Sequence, residues 1–205
     1  MKMTTKPIIF VIDDDQAVRR FLCRLIKSVN LEVEVFSSAQ KFLDTYEPGR
    51  PGCILLDIRM PGMSGLELQQ ELANRAIDLP TIILTGHGDV QLAVQAMKSG
   101  AIDFIEKPFN NELLLNRIQK AVTESISAYN IRSELDGVKL RIQSLTPREH
   151  QVLDLIVVGE TNKHIARCLK ISGKTVENHR ARVMEKMNVK SLAVLVRLIS
   201  DLEHL

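Results

Sequence analysis

Along the first 123 residues, short runs rich in β-branched side chains alternate with stretches in which apolar residues recur every three or four positions. The runs lie at 8–12, 33–36, 53–56, 81–84 and 102–105. Three of them, 8–12, 53–56 and 81–84, are nearly continuous and apolar, as a parallel strand buried on both faces must be; period alone does not separate such a strand from a buried helical segment. Between the runs the helical period takes over. Residues 17–29 set Val18, Phe21, Leu22, Leu25, Ile26 and Val29 on one face. A second stretch, 66–72, follows Pro61-Gly62, a third, 90–97, runs towards Gly100 as a helix end should, and a fourth, 110–122, follows Lys107-Pro108. Five strand–helix pairs over residues 1–123 predict a doubly wound (βα)5 parallel-sheet domain. Such sheets place their functional residues at the carboxyl ends of the strands.

The pattern then changes. Residues 124–143 are polar, with Ile131, Leu135, Val138 and Ile142 at spacings of three and four, which fits an extension of the fifth helix or a helical linker. From Ser144 onwards no strand pattern occurs, and four short helices fit at 147–158, 162–169, 174–187 and 191–203. Breaks fall at Gly159, at 170–173 and at 188–191. The expected organisation is an α/β domain over 1–123, a linker over 124–143 and a small all-α domain over 144–205.

At 45% hydrophobic and 25% charged residues, the 205-residue chain has ordinary globular composition, which excludes a disordered or fibrous protein. No apolar run nears the roughly 20 residues of a membrane helix, and the first seven residues lack a signal-peptide core, so a cytoplasmic protein with no membrane association is expected. Cys23, Cys53 and Cys168 are far apart in apolar contexts, which favours buried thiols over disulfides or zinc ligands. Charge is divided unevenly. Residues 1–124 carry 14 Lys and Arg against 16 Asp and Glu, whereas 163–190 carry eight basic residues against two acidic ones. A near-neutral front and a basic back imply different partners for the two domains. The absence of Trp weakens any case for a single-strand stacking surface.

The predicted strand ends collect chemistry. The first runs into Asp13-Asp14-Asp15, the third into Asp57, the fourth into Thr85 and the fifth into Lys107-Pro108. Taken singly, the acidic triplet is a solvated turn or helix N-cap and Asp57 a strand-terminal cap. Together, at successive tips of one parallel sheet, they would form a pocket of carboxylates with a hydroxyl and an ammonium. Clustered carboxylates repel one another unless a cation sits among them, and an all-oxygen donor set suits Mg²⁺. Gly86-His87-Gly88 is not a dinucleotide fingerprint, because position 91 is Gln. It fits a flexible strand-to-helix loop in which His87 is neither base nor metal ligand. A phosphohydrolase built on Asp-x-Asp lacks its second acid, since position 59 is Arg.

The stretches Val11-Ile12-Asp13-Asp14-Asp15, Leu56 to Gly65, Leu84 to Asp89 and Phe104 to Phe109 resemble the response regulators of two-component signalling, and among them the FixJ-like regulators with a LuxR-type output domain. The resemblance implies that Asp57 accepts a phosphoryl group from a sensor histidine kinase. It implies Mg²⁺ held directly by Asp14 and Asp57, through water by Asp13, and by the Arg59 backbone carbonyl. Thr85 and Lys107 would bind phosphoryl oxygens, with Phe104 as an aromatic switch that moves inward when Thr85 turns. Pro108 would be cis, aiming Lys107 into the pocket. The physics agrees: a carboxylate attacks an anionic phosphohistidine only where cations offset the repulsion.

The tail opens with a helix signal: Thr146 as N-cap, Pro147 at the first position and Glu149 completing a capping box. Thr161 to Leu169, a short turn and Ser172 to His179 have helix-turn-helix spacing and resemble the LuxR-type DNA-binding domain. At about 100° per residue, Val176, Val183 and Met187 share an inward face, opposite Lys174, Asn178 and Ala181. Asn178 and Glu177 are candidates for reading adenine and cytosine edges, and Lys174, Thr175, His179 and Arg182 for gripping phosphate. The whole predicts a phosphorylation-controlled transcription regulator, not an enzyme, that dimerises and binds double-stranded promoter DNA, with RNA polymerase as a further partner. By analogy, dimerisation would use the fourth helix and fifth strand, including Val94 and Lys98. The rival is a phosphorylation-independent DNA-binding protein whose first domain is a dimerisation scaffold.

Overall fold

The computed structural model describes residues 6–86 and 90–203; His87 and Gly88, read above as part of a loop, lie outside them. In chain order the elements are β1 (Ile8–Ile12), α1 (Gln16–Ser28), β2 (Glu32–Phe36), α2 (Ala39–Thr45), β3 (Gly52–Asp57), α3 (Gly65–Asn74), β4 (Thr81–Thr85), α4 (Val90–Lys98), β5 (Asp103–Glu106), α5 (Asn111–Gln143), α6 (Pro147–Val157), α7 (Asn162–Leu169), α8 (Gly173–Lys186) and α9 (Leu192–Glu203). The chain divides into two compact units, Met1–Tyr129 and Asn130–Leu205.

The first unit is the predicted α/β fold. Its five strands run parallel in the order β2-β1-β3-β4-β5. That order accounts for the hydrophobic pattern. The central strands β1, β3 and β4 are buried at every position, while the edge strands β2 and β5 are partly exposed. Along β1, Ile8, Phe10 and Ile12 enter one core with residues of α2 and α3, and Ile9 and Val11 enter the other with Leu22, Ile26 and Ile118. An apolar residue is therefore required at each position, and the alternation of a half-buried strand disappears. Gly52 starts β3 because a Cβ there would lie 1.9 Å from the Ile8 carbonyl oxygen. Its N–H donates to the buried Ser125 hydroxyl at 2.9 Å, tying β3 to α5.

Two expectations need correction. The seven-residue helix α2 had no periodic stretch assigned to it, although Ala39, Phe42 and Leu43 are buried on it. Only Cys53 is a buried thiol; Cys23 is half-buried and Cys168 exposed, because each occupies a helix position at the margin of its core. Residues 124–143 continue α5 without a break. No helix among the described residues is long and apolar enough to cross a membrane.

The second unit is wholly helical among its described residues and packs around Val138, Val152, Ile156, Ile165, Val176, Val183, Met187 and Leu195. The capping box at α6 is formed: Thr146 Oγ1 accepts from the Glu149 N–H, and Glu149 Oε2 accepts from the Thr146 N–H at 2.8 Å. The same Oε2 accepts from Lys186 Nζ at 2.7 Å, joining α6 to the end of α8. Lys186 and the cap hold the Glu149 carboxyl at about 2. A folded value below the unfolded one, about 4.3, means that this contribution is complete above the unfolded value and fades as pH falls through the folded one. Glu149→Gln keeps the cap and removes the ion pair. We expect it to cost about 1–2 kcal/mol at neutral pH and progressively less as pH falls towards 2, measured in the intact chain by hydrogen exchange at α6 and α8.

Candidate functional site: an acidic pocket and a basic helix

The order β2-β1-β3 reverses the direction of winding between β1 and β3, which opens a crevice at their carboxyl ends. Asp13 and Asp14 follow β1 and Asp57 ends β3. One carboxylate oxygen from each lies within 4.8 Å of the others, with Asp13 and Asp57 buried and Asp14 exposed. Asp15 stands apart from them, because its side chain caps α1 and accepts from the Ala17 N–H at 2.7 Å. The acidic triplet thus contains both the ordinary helix cap and two pocket acids.

Lys107 completes the cluster. Its Nζ donates to Asp13 Oδ2 at 2.7 Å and to Asp57 Oδ1 at 2.8 Å. The backbone carries it there through a bond from its N–H to the Thr85 carbonyl at 2.8 Å, and the Lys107–Pro108 peptide bond is cis. Thr85 is itself buried at the end of β4. Burial raises the Asp57 carboxyl above the ordinary aspartate value, and the neighbouring Asp13 and Asp14 charges add to this while Lys107 opposes it. Burial would lower the Lys107 ammonium, but its bonds to Asp13 and Asp57 outweigh that and hold it above the ordinary lysine value.

Phe104 on β5 is half exposed, as are Val94, Met97 and Ile102 close by in sequence, and Lys98 at the end of α4 is exposed. Arg59 lies in the loop after β3, with an exposed side chain. Two contributors had no role assigned from sequence. Arg19 Nη1 donates to the Asp13 carbonyl at 2.6 Å, bracing the loop that presents both acids. Gly65, at the start of α3, lies against the end of β3, where a Cβ would sit 2.3 Å from the Asp57 carbonyl oxygen. The requirement at Gly65 is a close approach between distant segments, which no local pattern reveals. Gly65→Ala must displace that loop; we expect it to lower stability by about 1–3 kcal/mol in thermal melts and to slow any reaction at Asp57.

In the second unit, α7 and α8 flank a turn at Lys170, which adopts a left-handed conformation with φ 54°. Ser172 caps α8, accepting from the Thr175 N–H at 3.0 Å, and the two hydroxyls lie 2.8 Å apart. Val176, Val183 and Met187 are fully buried, while Lys174, Glu177, Asn178 and Arg182 are exposed on α8. Lys174 Nζ donates to Glu177 Oε2 at 3.2 Å, so these two candidates meet each other in the free protein. His179 is half-buried, with its Nδ1 buried and unpartnered.

Chemically, a carboxylate flanked by two further acids and an ammonium at a sheet edge is equipped to receive an anionic group that brings or meets a cation. Fold and site together define a class: an α/β domain with an acidic pocket at its sheet edge, followed by a helix-turn-helix unit. Comparison with known proteins agrees. Residues 9–119 match the response regulator receiver domain, and residues 143–199 match the bacterial regulatory proteins of the luxR family. The transcriptional regulatory protein FixJ of Bradyrhizobium diazoefficiens is 45% identical over 196 residues, covering 96% of both chains. Among solved structures, the response regulator StyR superposes with a TM-score of 0.88 at 44% identity over 96% of this chain and 99% of that one. Full-length FixJ from B. japonicum gives 0.59 at 44% identity over 98% and 100%.

The chain belongs to the response-regulator family, with a receiver domain followed by a luxR-family output domain. It is a phosphorylation-dependent transcription regulator of a two-component system. A receiver implies a histidine-kinase partner and a luxR-family domain implies DNA binding. Its acidic pocket is of the type that binds Mg²⁺.

Proposed function

We propose that Asp57 is the phospho-acceptor, that Asp13 and Asp14 hold Mg²⁺ with it, joined by the Arg59 carbonyl, and that phosphorylation makes the chain a dimer that binds promoter DNA through α8. The observation that carries this is the Lys107 ammonium set between the carboxylates of Asp13 and Asp57. Asp57 then has a cation beside it, held on Oδ1. In the transfer, a carboxylate oxygen of Asp57 bonds to phosphorus as the bond from phosphorus to the kinase imidazole nitrogen breaks, and the electron pair returns to the nitrogen. Lys107 offsets the charge of the incoming phosphoryl, and the Thr85 hydroxyl at the neighbouring strand end supplies a donor to it. Three carboxylates offer the hard oxygen donors that Mg²⁺ prefers, and the ion when bound neutralises negative charge in the pocket.

Aspartyl phosphate adds about −2 charge beside Thr85. Phe104, half exposed on the strand paired with β4, is the aromatic that responds. The exposed apolar residues Val94, Met97 and Ile102, with Lys98 at their edge, support α4 and β5 as the dimer face. Two output units then meet paired half-sites, Lys174, Thr175, His179 and Arg182 gripping backbone and Glu177 and Asn178 facing base edges. The regulator acts in the cytoplasm, and its bound dimer is positioned to engage RNA polymerase.

Incubation with acetyl phosphate tests the pocket. One phosphoryl group per chain is expected in the presence of Mg²⁺ and almost none with EDTA. Hydrolysis of many equivalents would instead identify a phosphohydrolase. Sedimentation of the phosphorylated chain should show a dimer, and Val94→Glu should take up phosphoryl yet remain monomeric.

A further inference from the structure

A second site lies in the first unit, beside the acidic pocket and distinct from its carboxylates. A groove of about 540 Å³ is bounded by α1, the carboxyl end of β2 and the start of α2. Arg19, Arg20, Arg24 and Lys41 line it, and none of its lining residues is acidic. This is a sharp local excess. Residues 1–124 hold more acids than bases, yet α1 bears Arg19, Arg20, Arg24 and Lys27 and no Asp or Glu. Like charges gathered on one short helix repel, and an anionic ligand removes that repulsion.

The groove also has an apolar contact: Val35, on the edge strand β2, lines it and is 45% exposed. Phe36, next along the strand, turns its ring to the opposite face, against Phe10 and Phe42 with centroids 6.3 and 5.4 Å away, and borders the groove at the strand end. Two of the cations are already anchored: Lys41 Nζ donates to Ser37 Oγ at 3.1 Å, and Arg19 to the Asp13 carbonyl. Arg20 and Arg24 are exposed, one helical turn apart on α1. Guanidinium forks match phosphate oxygens in pairs and stack on flat rings. The volume falls in the range of small-ligand sites, about 300–1,000 Å³.

We propose that this groove binds a small organic polyphosphate, an anion with several phosphate charges on a flat or apolar body, as in a nucleotide. The phosphates lie between Arg20, Arg24 and Lys41, and the body covers Val35. The site adjoins the acidic pocket through Arg19, which lines the groove and holds the Asp13 carbonyl, but uses none of the pocket's carboxylates.

Calorimetric titration of the intact chain with ATP tests the site, and tripolyphosphate serves as the probe without an apolar body. Saturable one-to-one binding of ATP is expected, weakened at least tenfold in Arg20→Ala/Arg24→Ala and unchanged in Lys174→Ala/Arg182→Ala, with circular dichroism confirming that both variants fold. ATP should bind several-fold more tightly than tripolyphosphate. Absence of saturable ATP binding overturns the proposal, as does binding that survives the α1 substitutions or is lost with those on α8. Equal affinity for tripolyphosphate overturns the role of Val35 and of the organic body.

Discussion

Asp57→Asn is expected to take up no phosphoryl group from acetyl phosphate or from a phosphorylated kinase, and at the same time to make the first unit more stable. The loss follows from chemistry: an amide has no carboxylate oxygen to bond phosphorus, and the neighbouring Asp13 is engaged elsewhere, with Lys107 and the Asp15 N–H. The gain follows from electrostatics. Burial and the Asp13 and Asp14 charges raise the Asp57 carboxyl in the folded state. A folded value above the unfolded one means that the ionised group opposes folding. Its cost is complete above the folded value and absent below the unfolded one. At neutral pH the substitution should therefore raise Tm by a few degrees, on the order of 1 kcal/mol, and the difference should shrink as pH falls through the carboxylate range. Paired thermal melts at pH 7 and pH 4 check both parts. A structural aspartate would behave in the opposite way, since removing it would lower Tm.

The double substitution Lys174→Ala/Arg182→Ala is expected to weaken binding to promoter DNA by about 10- to 100-fold, or about 1.4–2.8 kcal/mol. Both side chains are exposed on α8, whose opposite face is buried by Val176, Val183 and Met187. If both touch phosphate, each releases about one counterion, so the slope of log affinity against log salt should become shallower by about 2. Loss of Lys174 has a second consequence. Its ammonium is the partner of Glu177 at 3.2 Å, and without it the carboxylate charge on the same helix face is uncompensated. Fluorescence anisotropy across a salt series checks both the affinity and the slope. An unchanged slope would place the phosphate contacts elsewhere on the basic face.

Much of the fold is legible in the residues alone, for identifiable reasons. The central strands announce themselves because burial on both faces demands apolar residues at every position, and β1 at 8–12 has the predicted limits. Helix α7 at 162–169 likewise matches, since Thr161 caps it and the turn at Lys170 ends it. Helix α2 is hidden by its length: seven residues are too few for a helical period to emerge, and its buried Ala39, Phe42 and Leu43 are recognisable only once the sheet is there to cover them. The cysteines mislead because an apolar neighbourhood along the chain is not an apolar neighbourhood in space. Asp13, Asp14 and Asp57 can be nominated from strand ends. That Lys107 bridges two of them, that Arg19 braces the loop and that Gly65 yields space to Asp57 depend on contacts between segments that only the folded chain brings together.

The central claim is that a phosphoryl group on Asp57 controls the grip of α8 on duplex DNA. The most direct measurement is the affinity of the intact chain for its promoter fragment, with Mg²⁺ throughout, before and after treatment with acetyl phosphate, beside the Asp57→Asn chain. Affinity at least tenfold tighter after treatment, with no change for Asp57→Asn, is the predicted result. Equal affinity of treated and untreated wild-type chains, once a phosphoryl group on Asp57 has been verified by mass spectrometry, would contradict it.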